Sequence, residues 1–160
     1  MATDMFLKLD GILGESPDSK HKDEIEIDSF SFGVQQHGSS SHGGGMGAGK
    51  ASFTDFHFSK KADKASPVLM EKCAKGDHIP SAVLIVRKAG GDQQEFYKIK
   101  MSNVLISSFQ NAGPGNDSIP SESLTLNFSK LEFETKVQNP DGTLAAGGKG
   151  GWDLKANHKV

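Results

Sequence analysis

Apolar side chains recur at every second position along most of the chain, the period of a strand with one buried face. Met5, Leu7 and Leu9 alternate with Lys8 and Asp10, which predicts a first strand. Ile25 and Ile27 stand on odd positions, but Phe30, Phe32 and Val34 stand on even ones. One strand face holds both sets only if the phase breaks, so a bulge is expected near Asp28–Ser29. Leu124, Leu126 and Phe128 against Leu131, Phe133 and Val137 show the same flip, with a bend expected near Ser129–Lys130. Phe53, Phe56 and Phe58 mark another strand. "SAVLIVRKAGGDQQEFYKIKM" reads as a hairpin turning at Gly90, Gly91 and Asp92, with Tyr97, Ile99 and Met101 on one face. The polar runs Gly14–Asp23 and "NAGPGND" read as connections and "NPDG" as a turn. "AAGGKGG" reads as a loose loop and "WDLKAN" as a short last strand.

Helical spacing appears once, in "SPVLMEKCAKGDH". Ser66 suits the N-cap, Pro67 the first turn and Gly76 the residue after the C-terminus. Leu69 and Cys73, four apart, share its inner face. Many bent strands with one short helix predict a mainly β fold: a closed or nearly closed β-barrel of two bent antiparallel sheets with one flanking helix. A chain of 160 residues suits a single domain spanning 1–160.

Composition narrows the function classes. The formal net charge is −2 and Arg87 is the only arginine. No basic stripe suits a nucleic acid, and bidentate recognition of phosphate has little to draw on. Cys73 is the only cysteine, so no internal disulfide forms. "MATDMFLKLDG" carries neither a basic segment nor an apolar core for a signal peptide, and no apolar run approaches the ~20 residues of a membrane-spanning helix. Synthesis in the cytoplasm and no membrane insertion are expected.

Three stretches invite a chemical reading. Gly44, then Gly49 and Lys50 five and six residues later, make most of a phosphate loop. Ala51 stands where the magnesium-binding hydroxyl belongs, and a strand pattern follows where the anion-binding helix belongs. Ser16, Asp18 and His21 resemble a nucleophile set but crowd into one connection, where they suit turn hydrogen bonds better. A small hydrolase using Ser16 or a histidine is the reading from a different class. His21, His37, His42, His57, His78 and His158 form no helical metal pair, and Glu132 and Glu134 suit a solvated strand face. No catalytic residue, cofactor or metal is expected.

The residues resemble one family nearly end to end. "FLKLDGILGESPDSKH", "EIEIDSFSFGV", "FSKKADKASPVLMEKCAKGDHIPSA", "RKAGG", "NVLISS", "ESLTLNFSKLEFE" and "GGWDLKAN" are similar, in order, to the haemolysin-coregulated proteins, Hcp, the tube subunits of bacterial type VI secretion. Phe30 or Phe32 stands where that family often has tryptophan. The resemblance implies no enzyme. It implies a homohexameric ring, stacked head-to-tail on further rings, capped by a spike, driven outward by a sheath and carrying effector proteins in its lumen. Secretion without a signal peptide then follows. A ring acting mainly as an effector-binding chaperone or receptor is the alternative.

Two candidate sites come with it. Ser31, between Phe30 and Phe32, points away from their face and is a candidate lumen residue for effector contact. The loop of Gly38, Ser39, Ser40, Ser41, His42, Gly43, Gly44, Gly45, Met46, Gly47, Ala48, Gly49 and Lys50 is too polar for a core of its own. Its six glycines make ordering costly, and it is the candidate ring-stacking element.

Overall fold

The structure, a computed structural model, describes residues 2–38, 49–116 and 118–160. In chain order it contains β1 (Thr3–Leu9), β2 (Ile25–Glu26), β3 (Ser29–Ser31), β4 (Val34–Gln36), β5 (Ala51–Phe53), β6 (Phe56–Lys61), α1 (Ser66–Lys75), β7 (His78–Lys88), β8 (Glu95–Ala112), β9 (Ser121–Asn127), β10 (Lys130–Gln138), β11 (Leu144–Asp153) and β12 (His158–Lys159). The fold is mainly β with one short helix, as the periodicity predicts.

Strand β8 is the spine. Its first half pairs with β7 and β10, and its second half with β9 and the first residues of β7, His78 and Ile79. Ile99 and Met101 are buried before Asn103, and Val104 and Ile106 after it. Asn103 has φ 52°, a left-handed residue that switches the buried face within one strand. The chain's second phase flip lies beside this corner. Between β9 and β10, the Ser129 amide and hydroxyl both donate to the Ser102 carbonyl, at 3.1 and 3.3 Å. The first flip falls at Ile27–Asp28, between β2 and β3. Ile27 N–H donates to Met5 O at 3.2 Å, and Asp28 N–H to Ser59 O at 2.8 Å. Both expected phase breaks are therefore present. The break at Asn103 had no signal in the alternation, because Asn-Val-Leu-Ile is apolar on both parities.

Among the described residues, no ladder closes the sheet into a barrel. Ten strands form one open sheet in the order β12–β11–β10–β8–β7–β1–β2, with β9, β6 and β3 branching from β8. The break at 27–28 leaves β2 and β3 only two and three residues long, too short for either to ladder with both neighbours. The second sheet is only the β4–β5 ribbon.

Two further expectations change. "AAGGKGG" is not a loose loop but most of β11, paired with β10 on both sides of a bulge in which Gly147 and Gly148 stand opposite Thr135. Gly147 must be glycine there, because a Cβ would lie 2.6 Å from the Thr135 carbonyl oxygen. Trp152 and Asp153 end this strand, and only His158–Lys159 form the last one. In α1 the N-cap is Ala65 rather than Ser66, while Gly76 closes the helix at φ 69° as expected. The Ser66 hydroxyl turns inward and donates to Glu122 Oε1 at 2.7 Å.

The core is continuous between the sheet walls and α1. Leu7, Phe56, Phe58, Leu69, Leu84, Ile99, Leu124 and Leu126 have no accessible surface. Each such side chain contributes about 1.5–3 kcal/mol. Lys60 is equally buried, in phase with Phe56 and Phe58. Its ammonium meets Glu122 at 2.6 Å and Asp63 at 2.8 Å. Burial pushes the Glu122 carboxyl up, but hydrogen bonds from Lys60, Ser66 and Asn111 and the Lys60 charge outweigh it, and the net direction is down.

Removing one partner strands the other charge in the core. Glu122→Leu is expected to lower unfolding free energy by about 3 kcal/mol in urea titration. Lys60→Met with Glu122→Leu should recover most of that loss. Wild-type stability in the single variant would mean that Asp63 and Ser66 suffice for Lys60.

Candidate functional site

Ser31 lies on β3, exposed, directly opposite His57 of β6. Register extends that position into a row: Ser31, His57, Thr125, Ser108. The row beside it is Ser29, Ser59, Ser123, Gln110. Opposed residues of antiparallel strands share a face, so these eight side chains form one outward patch. None carries a carboxylate, ammonium or guanidinium. Short hydroxyls bond one another: Ser29 with Ser59 at 2.5 Å, Ser108 with Thr125 at 2.7 Å, and His57 Nε2 with Ser123 Oγ at 2.7 Å. Asp55 stands at the rim, accepting from Ser107 at 2.6 Å and Asn127 at 3.0 Å.

The outward face on the other half of β8 is different. Lys98 stands opposite Glu134 and Lys100 opposite Glu132, and Glu134 is opposite Lys149. Glu132 and Glu134 are thus members of a mixed-charge ladder, in keeping with a solvated strand face. The two halves of β8 separate a neutral hydroxyl patch from a charged one.

The glycine loop joins the two strands of the β4–β5 ribbon. Gly38, Gly49 and Lys50 are exposed, and a Cβ on Gly49 would fall inside contact distance of the His37 carbonyl oxygen. Ser39, Ser40, Ser41, His42, Gly43, Gly44, Gly45, Met46, Gly47 and Ala48 lie outside the described residues. A strand, β5, begins directly after Lys50, so the phosphate-loop fragment lacks its helix.

Ser16, Asp18 and His21 come together without forming a triad. The Ser16 hydroxyl accepts from the Asp18 amide at 3.3 Å. His21 is buried, stacked on Phe6 at 4.4 Å between ring centroids, and its two nitrogens face Glu24 at 2.8 Å and Glu95 at 2.7 Å. Neither nitrogen faces a serine, and the group clamps the connection between β1 and β2 onto the sheet.

Arg87 completes that clamp. It is 2% exposed, pairs with Asp18 and, at 3.3 Å, with Asp4, and lies over the Phe6 ring at 4.8 Å. Hydrogen bonding from Arg87 holds the Asp18 carboxyl down at about 2. Sequence reasoning treats Arg87 only as a lone cation. Its signal is the parity of Arg87 with Ile85, opposite Asp4 and Phe6 in the β1 register. Among the described residues, no group of three or more His, Cys, Asp or Glu is arranged to hold a metal.

The profile of the family described as "Type VI secretion system effector, Hcp" matches residues 6–135. Protein hcp1 of Pseudomonas aeruginosa is 42% identical over 159 residues, covering 98% of each chain. A solved structure of a type six secretion system protein superposes with a TM-score of 0.93 at 31% identity, covering 99% of this chain and 100% of that one. Hcp1 from Salmonella typhimurium superposes at 0.80 with 36% identity, again over 99% and 100%.

The Arg87–Asp18 pair sets a pH dependence. A carboxyl lowered from 3.8 to about 2 stabilises the fold above its unfolded pKa, and that stabilisation disappears as pH falls through about 2. Urea titrations of wild type and Asp18→Asn should therefore differ by a constant amount above about pH 4 and converge toward about pH 2. A difference that grows on acidification would contradict the assignment.

Proposed function

The chain belongs to the Hcp family of type VI secretion, and from that premise we propose that it is the inner-tube subunit: six copies close a ring, and rings stack head-to-tail into a tube expelled from the cell with effector cargo. The observation that carries this reading is the likeness to an Hcp protein over 98% of both chains. The whole chain, 1–160, acts as one domain in the ring. Its sheet works as a barrel whose closing seam is the segment of β2 and β3, with successive amides at Ile27 and Asp28 bonded to opposite neighbours. The role is structural and carrying, not catalytic. Spike and sheath are the partners at the tube's end and exterior. Among the described residues, no helix is long and apolar enough to cross a membrane.

The neutral patch around Ser31 suits a lumen wall. A cargo chain sliding past short hydroxyls meets no fixed charge to hold it and, Gln110 apart, no long side chain to order. The loop of residues 38–50 serves as the stacking element, with the β4–β5 ribbon as its base.

Two outcomes test these assignments. Ser31→Gln should preserve the ring but reduce co-purification of a lumenal effector; unchanged retention removes Ser31 from the cargo wall. Replacing residues 37–50 by a short Asn-Gly turn should leave single rings folded and abolish tubes and secretion. Tubes formed by the shortened protein would show that the loop only connects two strands.

A further inference from the structure

The neutral patch around Ser31 holds one side chain that can become charged. His57 stands between Ser31 and Thr125 in its row. The other seven members are six short hydroxyls and Gln110, and none of them changes charge near neutral pH. A wall that only excluded charge would be served by one more serine or threonine at position 57, so the histidine needs a cause.

Its geometry supplies one. His57 is half-buried, and its Nε2 reaches diagonally across the ladder to Ser123 Oγ at 2.7 Å. A hydroxyl both donates and accepts, so either neutral tautomer of the ring is satisfied there. Among the described residues, Ser123 is the only hydrogen-bond partner of the ring. In the protonated ring both nitrogens donate. Ser123 accepts from Nε2, which fixes the ring, and Nδ1–H remains for an acceptor from outside the subunit. His21 shows the opposite arrangement: its two nitrogens face Glu24 and Glu95, which match its charge within the chain.

The charged groups around His57 do not take that role. On its own strand, Asp55 and Lys61 share its parity at the two ends of the outward row. The Asp55 oxygens accept from Ser107 and Asn127, and Lys61 pairs with Asp28, just before β3, at 3.7 Å. On β9 the outward side chains are Ser121, Ser123 and Thr125, while Glu122 is buried against Lys60. The nearby side chains of β8 are Ser107, Ser108 and Gln110. A positive charge at His57 therefore stands among hydroxyls, with its counter-charge left to a ligand.

We propose that His57, its ring fixed by Ser123, is the contact by which this wall holds acidic segments of a cargo protein, and that the hold strengthens as pH falls. The inference rests on the reading of the patch as a lumen wall and names the cargo chemistry that the wall selects. A carboxylate is the acceptor that gains most from a charged donor, and neighbouring hydroxyls offer further donors to its second oxygen. The imidazolium form grows as pH falls, so the attraction is present in acid and disappears as pH rises, when the wall is neutral and cargo slides freely.

Binding of a rhodamine-labelled peptide of alternating glutamate and glycine to purified rings tests the site, with a peptide carrying glutamine for glutamate as control. Fluorescence anisotropy should give roughly tenfold tighter binding of the acidic peptide at about pH 5.5 than at about pH 8, and no such change for the control. His57→Gln keeps a donor for Ser123 without the charge. It should give rings of unchanged mass by size-exclusion chromatography with light scattering, and equal affinity at both pH values. The other histidines remain in this variant, so a general change of net charge would persist in it. Rings that show no preference for the acidic peptide, or a variant that retains the pH dependence, would overturn the assignment of His57 and leave the ring reading standing. A wild-type protein that stays monomeric would overturn both. Should the glutamine variant fail to assemble, His57→Ser, which continues the row of short hydroxyls, carries the same readout.

Discussion

The change of buried face inside β8 is the constraint on which the rest of the fold depends. A strand of 18 residues has the same inner parity throughout unless its backbone is interrupted. Asn103, at φ 52°, provides the interruption, and an asparagine tolerates the left-handed region at low cost. Before it, β8 shares a wall with β7 and β10; after it, with β9 and, through β9, with β6 and β3. The bend turns one sheet around one core. It also leaves different chemistry outside on each wall, mixed charges before the corner and hydroxyls after it.

Buried polar groups fasten the remaining pieces to that bent sheet. Lys60 and Glu122 join β6 to β9 and hold the start of α1 through Ser66. Arg87, Asp18 and His21 fasten the long connection after β1 over Phe6. Among the described residues, no buried side-chain nitrogen or oxygen lacks a hydrogen-bond partner. Such networks hold charge in a low-dielectric interior only when complete, and their value here is a fixed geometry more than added stability.

Much of this was legible in the sequence. The alternation placed the strands and both early phase breaks, and Pro67 and Gly76 bracketed the helix. Three features were not legible for physical reasons. Glycine has poor strand propensity, so β11 looked like a loop until its own bulge, Gly147 and Gly148 opposite Thr135, showed why Gly147 must be there. Asn103 sits in a run apolar on both parities, where a phase switch leaves no mark. Lys60, Arg87 and His21 are charged or polar residue types that are normally exposed; strand parity with buried neighbours betrays Lys60 and Arg87, while His21 lies in a turn and carries no such signal. The neutral patch around Ser31 required the register of four strands, which pattern alone does not give.

The central claim is that this subunit closes a six-membered ring with its neutral wall turned inward. A cryo-electron microscopy reconstruction of the purified protein tests it most directly. The account predicts sixfold rings with Ser31, His57 and Thr125 facing a central channel and Lys98, Lys100 and Glu132 away from it. A ring with the charged ladder lining the channel, or particles without sixfold symmetry, would contradict it.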